Sequence, residues 1–541
     1  MDGGSVAAAP RPAWKLAPKV AERTQGLVVS GFGSLQTGRA LFLRLDQAGG
    51  AWLAALQAVA PITPAIPPAG RGEDAATRAA ALALSWAGLS RMGLAPTALA
   101  SFLRPFREGM MQEDRLRRLG DRRSGKWLKT VVDGGPRWSA NTPARATQAA
   151  AGAYDVAQGE PEEHVETPVT VHALLLLYTG TEAEADAWAA EVLAAIRPHG
   201  ATEVHRLPLV LDIEGSGISR EHFGFADGLS QPEPFDEEGA VLLAGQPART
   251  PAPVQGVPLG EFLIGHVNGH HEKAPGPVVP GDRDGEGDPR PADAGLVPHP
   301  DAQGFFDFGQ DGSYLVVREL AQDVAAFWQS MDRAAQRIRE LDPANTGHVT
   351  AEWLAARVVG RDREGNMLCP LSSTGSLAPG ADGQPDSGFL FLARDPRGAG
   401  CPAGSHVRRA NPRDTLAPTP DQAGDLLAAA NNHRILRRGR KYGTKIAHDR
   451  ADDGKDRGLL FMCLNTDIER QFEFVQQTWM LNSDFATLFE ETDPLIGPPG
   501  RMTLRDQALR RIVQVESFVR MAGGDYFFLP SLPALRYLAS L

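Results

Sequence analysis

Four times along this chain a short apolar run, bounded by turn residues, is followed directly by a helix-patterned segment. "RALFLRL" precedes "GGAWLAALQAV", and "VTVHALLLLYTG" precedes "TEAEADAWAAEVLAAI". "SYLVVREL" precedes "QDVAAFWQSMD", and "GLLFMCLN" precedes "TDIERQFEFVQQTW". Short, turn-bounded apolar runs read as buried strands. Trp188, Val192 and Ile196 recur on one helical face. Thr181 and Thr466 each open a T-x-x-E capping box, with Glu184 and Glu469 at the third helical position. Two units precede a Gly/Pro-rich stretch at 273–304 that lacks any period, and two follow it. The pattern predicts an α+β chain in which one fold is duplicated, each half an antiparallel sheet covered by helices.

At 541 residues the chain exceeds what one simple core holds. The expected division is a loose Ala/Pro-rich tail over 1–21, a first half over 22–235, a connection over 236–312 and a second half over 313–541. The net charge of −11 argues against a nucleic-acid binder, which is usually basic. Cys369, Cys401 and Cys463 are far apart and form no C-x-x-C. This argues against a disulfide framework and a structural zinc or iron–sulfur site, and it suits a reducing compartment. "MDGGSVAAAPRPAWK" has no basic n-region, and runs such as "ALLLLY" are too short to span a bilayer. The expectation is a cytoplasmic protein with no membrane and no nucleic-acid partner.

Several suggestive motifs fail. "GFGSLQTG" lacks the G-x-G-x-x-G spacing and reads as a turn. "DPANTGHVTAEW" has Gly347 at the sixth place of a calcium loop but Ala344 at the third and Trp353 at the twelfth, so it reads as a helix–turn–helix connection. "GHVNGHH" carries His266, His270 and His271, but its Gly/Asn content says loop.

Three segments remain. "HFGFADGLSQP" sets Asp227 among small and apolar residues before Gly228, where the bland reading is an Asx-type turn. "GSHVRRANPR" puts His406 before three arginines, with a solvated surface loop as the bland reading. "NNHRILRRGRKYG" has Ile435 and Leu436 inside a basic run, so part of it is buried. Taken together they suggest a haem peroxidase. That chemistry needs one proximal nitrogen ligand, a distal base to move the peroxide proton and a fixed cation for the departing anion. It also needs arginines for the propionates. His406, Asp227, Arg437 and neighbouring arginines could fill those roles, though spacing alone does not establish it.

These segments resemble the dye-decolorising peroxidase family. "GFADG" is similar to its G-x-x-D-G signature, "SHVRRANPR" to its S-H-[IV]-R-x-x-N-P-R, and "RILRRGRKYG" to its I-[LM]-R-R-G-x-x-Y-G. "GEFLIGHVN" resembles G-E-F-x-L-G-Y-x-N, with His266 in place of Tyr. "VVGRDREGNMLCPLS" resembles G-R-x-x-x-G-x-P-L, with Asp362 after the Arg and the Pro-Leu shifted. The similarity runs from about Gln25 to "DYFFLP" and is nearest the longer C/D-type branches.

The resemblance implies paired ferredoxin-like domains with one haem b per chain in the C-terminal half. It implies His406 as the proximal ligand, Asp227 as the distal acid/base and Arg437 as the distal cation. Gly228, Leu229, Ser230, Arg361, Asn411 and Arg413 are then expected at the macrocycle or its propionates. His433, in the same basic segment, is the competing candidate for the iron. The implied reaction reduces hydrogen peroxide and oxidises an aromatic or dye-like reductant by single electrons. An aspartate side chain ordinarily titrates near ~3.9 and an imidazole near ~6.5, so an acid in the base's place predicts turnover at acidic pH. Haem carriage or iron release on the same fold is the alternative, and a non-haem binding protein a third reading. A homo-oligomer stays open.

Overall fold

The computed structural model describes residues 16–66, 77–142, 164–214, 217–236, 254–281, 290–380, 383–506 and 509–541. Most of the expected tail, and parts of the expected connection, lie outside these residues. The last of the tail is packed: Leu16 and Ala21 are buried and Pro18–Ala21 forms a helical turn.

The first half supplies β1 (Thr37–Leu45), α1 (Ala51–Val59), β2 (Arg78–Leu84), β3 (Ala173–Thr179), α2 (Glu182–Ile196) and β4 (Ala201–Val210). The second supplies β5 (Ser313–Gln322), α3 (Val324–Leu341), α4 (Ala351–Val359), α5 (His406–Ala410), β6 (Leu436–Arg437), β7 (Arg440–Tyr442), β8 (Gly458–Asn465) and β9 (Val519–Leu529). β6 and β7 pair with β8 in a common register, Arg437 opposite Cys463 and Arg440 opposite Leu460.

The large sheet is antiparallel and closes on itself. Its strands run β4-β1-β3-β2 and then β9-β5-β8-β7, with β7 joined back to β4. Each run of four has the same spatial order: fourth, first, third, second. The seams between the runs are short. Leu84 faces Phe528 at one, and Lys441 and Tyr442 face Val210 and Leu209 at the other.

Alternate strand residues point to opposite faces. One set, including Phe42, Leu176, Tyr178, Leu209, Val317, Met462 and Phe527, packs into the ring interior. The interior also holds Glu319, bonded by Trp138 Nε1 at 2.7 Å and by His205 Nε2 at 2.9 Å. The other set faces outward. Over the first half, α1 and α2 close on it, burying Trp52, Leu53, Trp188, Val192 and Ile196 against Leu41, Leu43, Leu175 and Leu177. Each such side chain stabilises by about 1.5–3 kcal/mol. The Thr181 cap forms as the sequence predicts, its hydroxyl accepting the Glu184 N–H at 3.3 Å.

The Thr466 cap does not form. The segment after β8 is wound as π-helix, Glu469–Glu473 and Val475–Met480. The Thr466 hydroxyl donates instead to Gly260 O at 2.7 Å, and its N–H is taken by the Gln471 side chain. Val278–Pro280 and Val297–Pro298 of the Gly/Pro-rich stretch, where the sequence shows no period, form a small three-stranded sheet with Phe305–Asp307 just after it. The three cysteines are free and buried. No helix among the described residues is long and apolar enough to cross a membrane.

Candidate active site

Over the second half the covering layer stands away from the sheet. α3 ends at Leu341 and β6 begins at Leu436, and the chain between them carries α4, α5 and long loops. A cavity of ≈ 330 Å³ opens between this layer, the π-helix and the outward face of β5, β8 and β6. Asp227, Gly228, Leu229, Ser230, Arg361, His406, Asn411 and Arg437 all line it, drawn from four separate stretches of chain. Much of the remaining wall is apolar, including Leu320, Val359, Val407, Ile435, Phe461, Phe472, Val475 and Ile496.

The first wall is the 221–231 turn. Asp227 N–H bonds Ser219 O at 2.7 Å, and the Asp227 carboxylate accepts the N–H of the adjacent Gly228. Gly228 has φ +70 and Ser230 φ +54. The first suits glycine, and the second is a left-handed position that a side-chain residue rarely adopts. Arg437 closes on this turn. Its Nη1 lies 3.9 Å from Asp227 Oδ1, its Nη2 donates to Leu229 O, and Gln231 exchanges two bonds of 3.2 Å with its backbone.

The second wall is "SHVRRANPR", whose charges are not solvated. Arg408, Arg409 and Arg413 are buried. Arg408 ties down Asp395 O and Cys401 O, while Arg409 holds Met480 O and Glu491 O. Between these anchors His406 opens α5 and presents its ring to the cavity. Its Nδ1 lies 3.1 and 3.2 Å from the two oxygens of Asp493, a buried carboxylate that also accepts the Leu495 and Ile496 N–H groups at 2.9 Å. Burial alone would push the Asp493 carboxyl up. The His406 ring, the Ile496 N–H and Arg409 outweigh it, and the net direction is down. A carboxylate there assigns the proton to Nδ1 and leaves the Nε2 lone pair as the free ligand.

At one rim three guanidiniums converge on Ser230. Arg361 Nη2 donates to Ser230 Oγ at 2.8 Å, Arg413 Nη2 to the same atom at 3.2 Å, and Arg434 Nη2 to Ser230 O at 2.7 Å. Arg361 and Arg413 also stack on Phe389, at 5.2 and 3.9 Å. None of the three has an ion-paired carboxylate among the described residues. Burial pulls Arg361 down to about 10 and, with the Arg437 charge, Arg434 down to about 10. Burial and the charges of Arg361 and Arg434 hold Arg413 well below the ordinary range. A guanidinium does not deprotonate in practice, so such a cluster expresses its strain as affinity for anions. Asn411, at the cavity wall, has neither its side-chain N nor O paired within the protein.

This donor set fits a flat apolar macrocycle with two carboxylates and one open nitrogen ligand. Of the residues expected from sequence, Arg413 alone is not part of the cavity wall and reaches it through Ser230. His433 lines the cavity too, but its ring stacks on Phe474 with centroids 3.7 Å apart and its Nδ1 bonds Arg470 O at 2.6 Å, so it packs. Sequence reasoning missed Asp493 and Arg434. The first sits in an unpatterned loop, and the second is one of five basic side chains in one run, separable only by their directions in space.

No family model matches the chain. Among curated proteins it is 30% identical over 404 residues to a multifunctional dye peroxidase of Amycolatopsis sp., covering 71% of this chain and 74% of that one. It is 28% identical over 405 residues to a dye-decolorizing peroxidase of Mycena epipterygia, covering 68% of this chain and 66% of that protein's length. Among solved structures, a DyP-type peroxidase from Anabaena sp. superposes over 99% of this chain and 100% of its own with TM-score 0.66 at 21% identity. A decolorizing peroxidase from Auricularia auricula-judae superposes over 96% and 100% with TM-score 0.67 at 21% identity, and these two likenesses speak for the fold. With a 30% identical relative matched over 74% of its length, the chain belongs to the dye-decolorizing peroxidase family.

Proposed function

We propose that this protein is a haem peroxidase that reduces hydrogen peroxide and draws single electrons from a small aromatic or dye-like reductant. The two strand runs of identical order support reading the scaffold as a duplicated ferredoxin-like unit, divided near 22–235 and 313–541, with the cofactor site in the C-terminal half. One haem b per chain is the cofactor that the donor set suits. When bound, it would supply the iron that takes the peroxide oxygen and the oxidising equivalents passed to the reductant.

The chain's own residues do the rest. His406 offers Nε2 to the iron, and Asp493 fixes its ring and makes it a stronger donor by holding the Nδ1 proton. Asp227, as carboxylate, takes the first peroxide proton at its oxygens and returns it to the leaving oxygen. Arg437, 3.9 Å away, supplies fixed positive charge where negative charge develops. Arg361, Arg413 and Arg434 take the propionates, and Gly228, Leu229 and Ser230 let backbone approach the macrocycle. The apolar wall keeps water from competing for the proton.

The observation that carries this reading is the gathering of His406–Asp493 and Asp227–Arg437 on one cavity. Haem carriage would need His406 without the acid–cation pair. The test is an absorption spectrum of haem-supplemented protein before and after peroxide, at several pH values. A haem band that responds rapidly to peroxide, and a response lost in Asp227→Asn and Arg437→Ala, is the expected result. A haem band with no response supports carriage, and no band removes both readings.

A further inference from the structure

Two carboxyls of the cavity wall have no part in the scheme above: Asp121, which pairs with Arg318 at 2.6 Å, and Glu221. Glu221 stands six residues before Asp227 on the same turn and lines the same cavity. Its oxygens are taken by its own loop: Oε2 accepts the Phe223 N–H and Oε1 the Phe225 N–H, both at 2.8 Å. These bonds, with Gly224 at φ +94, fold the segment that delivers Asp227. A third donor comes from the end of β5, where the Gln322 amide N–H bonds Oε2 at 2.8 Å. The other end of that amide, Gln322 Oε1, is buried with no partner. An unpaired buried acceptor beside a carboxyl is what a protonated carboxyl would use, since turning the amide over puts Oε1 in place of the N–H.

The charged groups around Glu221 leave its charge unbalanced. Among the described residues no Lys or Arg forms an ion pair with it. Arg220 is committed to Gly224 O, Arg363 O and Glu364, and Arg363, from the facing turn, stacks over Trp328 at 4.3 Å. Arg457, whose carbonyl receives the Gln322 backbone N–H, turns its guanidinium to Thr444 O and Asp453. His222, next in the chain, bonds Tyr442 O, and burial pulls it down to about 4, so it brings no charge at neutral pH. Asp227 is the like charge that acts on Glu221, and burial, more than that charge, pushes the Glu221 carboxyl up.

We propose that Glu221 is a second titrating carboxyl of this wall and the positioning residue for Asp227. It alternates between a carboxylate that takes the Gln322 N–H and an acid whose O–H is taken by Gln322 Oε1. One proton enters from the cavity and one returns to it, and the Gln322 amide turns over between the two states. Two carboxyls in unlike surroundings separate into one that keeps its proton and one that gives it up. Glu221, walled in by its own loop, is the keeper, and Asp227, beside Arg437, is the donor and acceptor. This rests on the reading of Asp227 as the proton-transfer group.

The experiment uses haem-loaded protein and two readouts: the rate of reaction with hydrogen peroxide across pH, and the infrared carbonyl stretch of protonated carboxyls in the same titration. Glu221 holds its proton where Asp227 titrates and loses it only at higher pH, where it becomes a like charge beside Asp227. Glu221→Gln, which copies the protonated state, should therefore leave the acidic limb where it is and abolish the change in rate at the higher pH where Glu221 ionises. It should also abolish a carboxyl band that persists above the usual glutamate range. An acidic limb displaced in Glu221→Gln, or a rate change at higher pH that persists in it, overturns the proposal, as does a band that survives in that variant. Should that variant fail to fold, Gln322→Met carries the test: the band must appear at a different pH, and an unmoved band overturns the idea. If Asp227→Asn keeps the full peroxide rate, the reading of Asp227 fails. The carboxyl band, which needs no turnover, still decides whether Glu221 titrates.

Discussion

The two halves of the ring put the same strand order to opposite uses. In the first, the connection between the covering helix and the next strand spans only residues 60–77, and α1 and α2 lie flat on the sheet. In the second, the corresponding connection spans residues 342–435, and the layer it carries stands off to leave a cavity. The outward residues change accordingly. Leu41, Leu43, Leu175 and Leu177 meet helices, whereas Arg318, Phe461 and Arg437 line the cavity. A site has been made without altering the scaffold, by inserting chain at one loop and replacing leucines with polar or aromatic residues on one face.

This contrast can be broken or sharpened by experiment. The largest effect should come from Asp227→Asn, which lowers the peroxide rate by about 10²–10⁴-fold while leaving thermal stability within about 0.5 kcal/mol of the parent. Stopped-flow and calorimetry on the same sample check both. The mirror substitution, Trp52→Ala under α1, should cost about 3–5 kcal/mol of stability by leaving a cavity. The rate per folded molecule should stay unchanged. A Trp52 variant that is stable but inactive would mean the halves do not divide labour as described. Next, Asp493→Asn removes the negative charge behind His406 and should reduce haem affinity or peroxide rate by about 10–100-fold, read by haem titration and stopped-flow.

The smallest effect is one of pH on the first half. His172 accepts the Leu45 N–H at Nδ1, and burial, with the Arg91 charge, pulls it down to about 4. The unfolded chain takes up that proton from near ~6.5 downward and the folded chain does not until near 4, so stability falls as pH drops through that window. His172→Asn should flatten this fall by about 1–2 kcal/mol, measured by urea unfolding at pH 4.5 and 7. The acidity expected to favour Asp227 chemistry is thus the acidity that weakens the packing around His172.

Much of this arrangement was legible in the sequence where local pattern sets structure. The apolar runs of β1, β3, β5 and β8 and the helices after them needed no tertiary information. β2, "RAAALAL", hid because alanine favours helix, and only its place between β3 and β9 makes it a strand. The π-winding hid because T-x-x-E is an ordinary helix start, and the Gln471 side chain, reaching back to Thr466, displaced the cap. In the site, Asp227, His406 and Arg437 were found because each sits in a dense local motif. Asp493 and Arg434 act through neighbours distant in sequence, and nothing beside them in the chain announces it.

The closure of the ring sets an order of events during synthesis. β2 and β4 are made early, yet β4 waits for β7, and β2 waits for β9, whose last residue is Leu529. Until β7 is made the first half carries two open strand edges, each able to pair with another nascent chain, and from then until β9 it carries one. For the ribosome-bound protein the two seams therefore close in turn, and the edge of β2 is the one exposed longest.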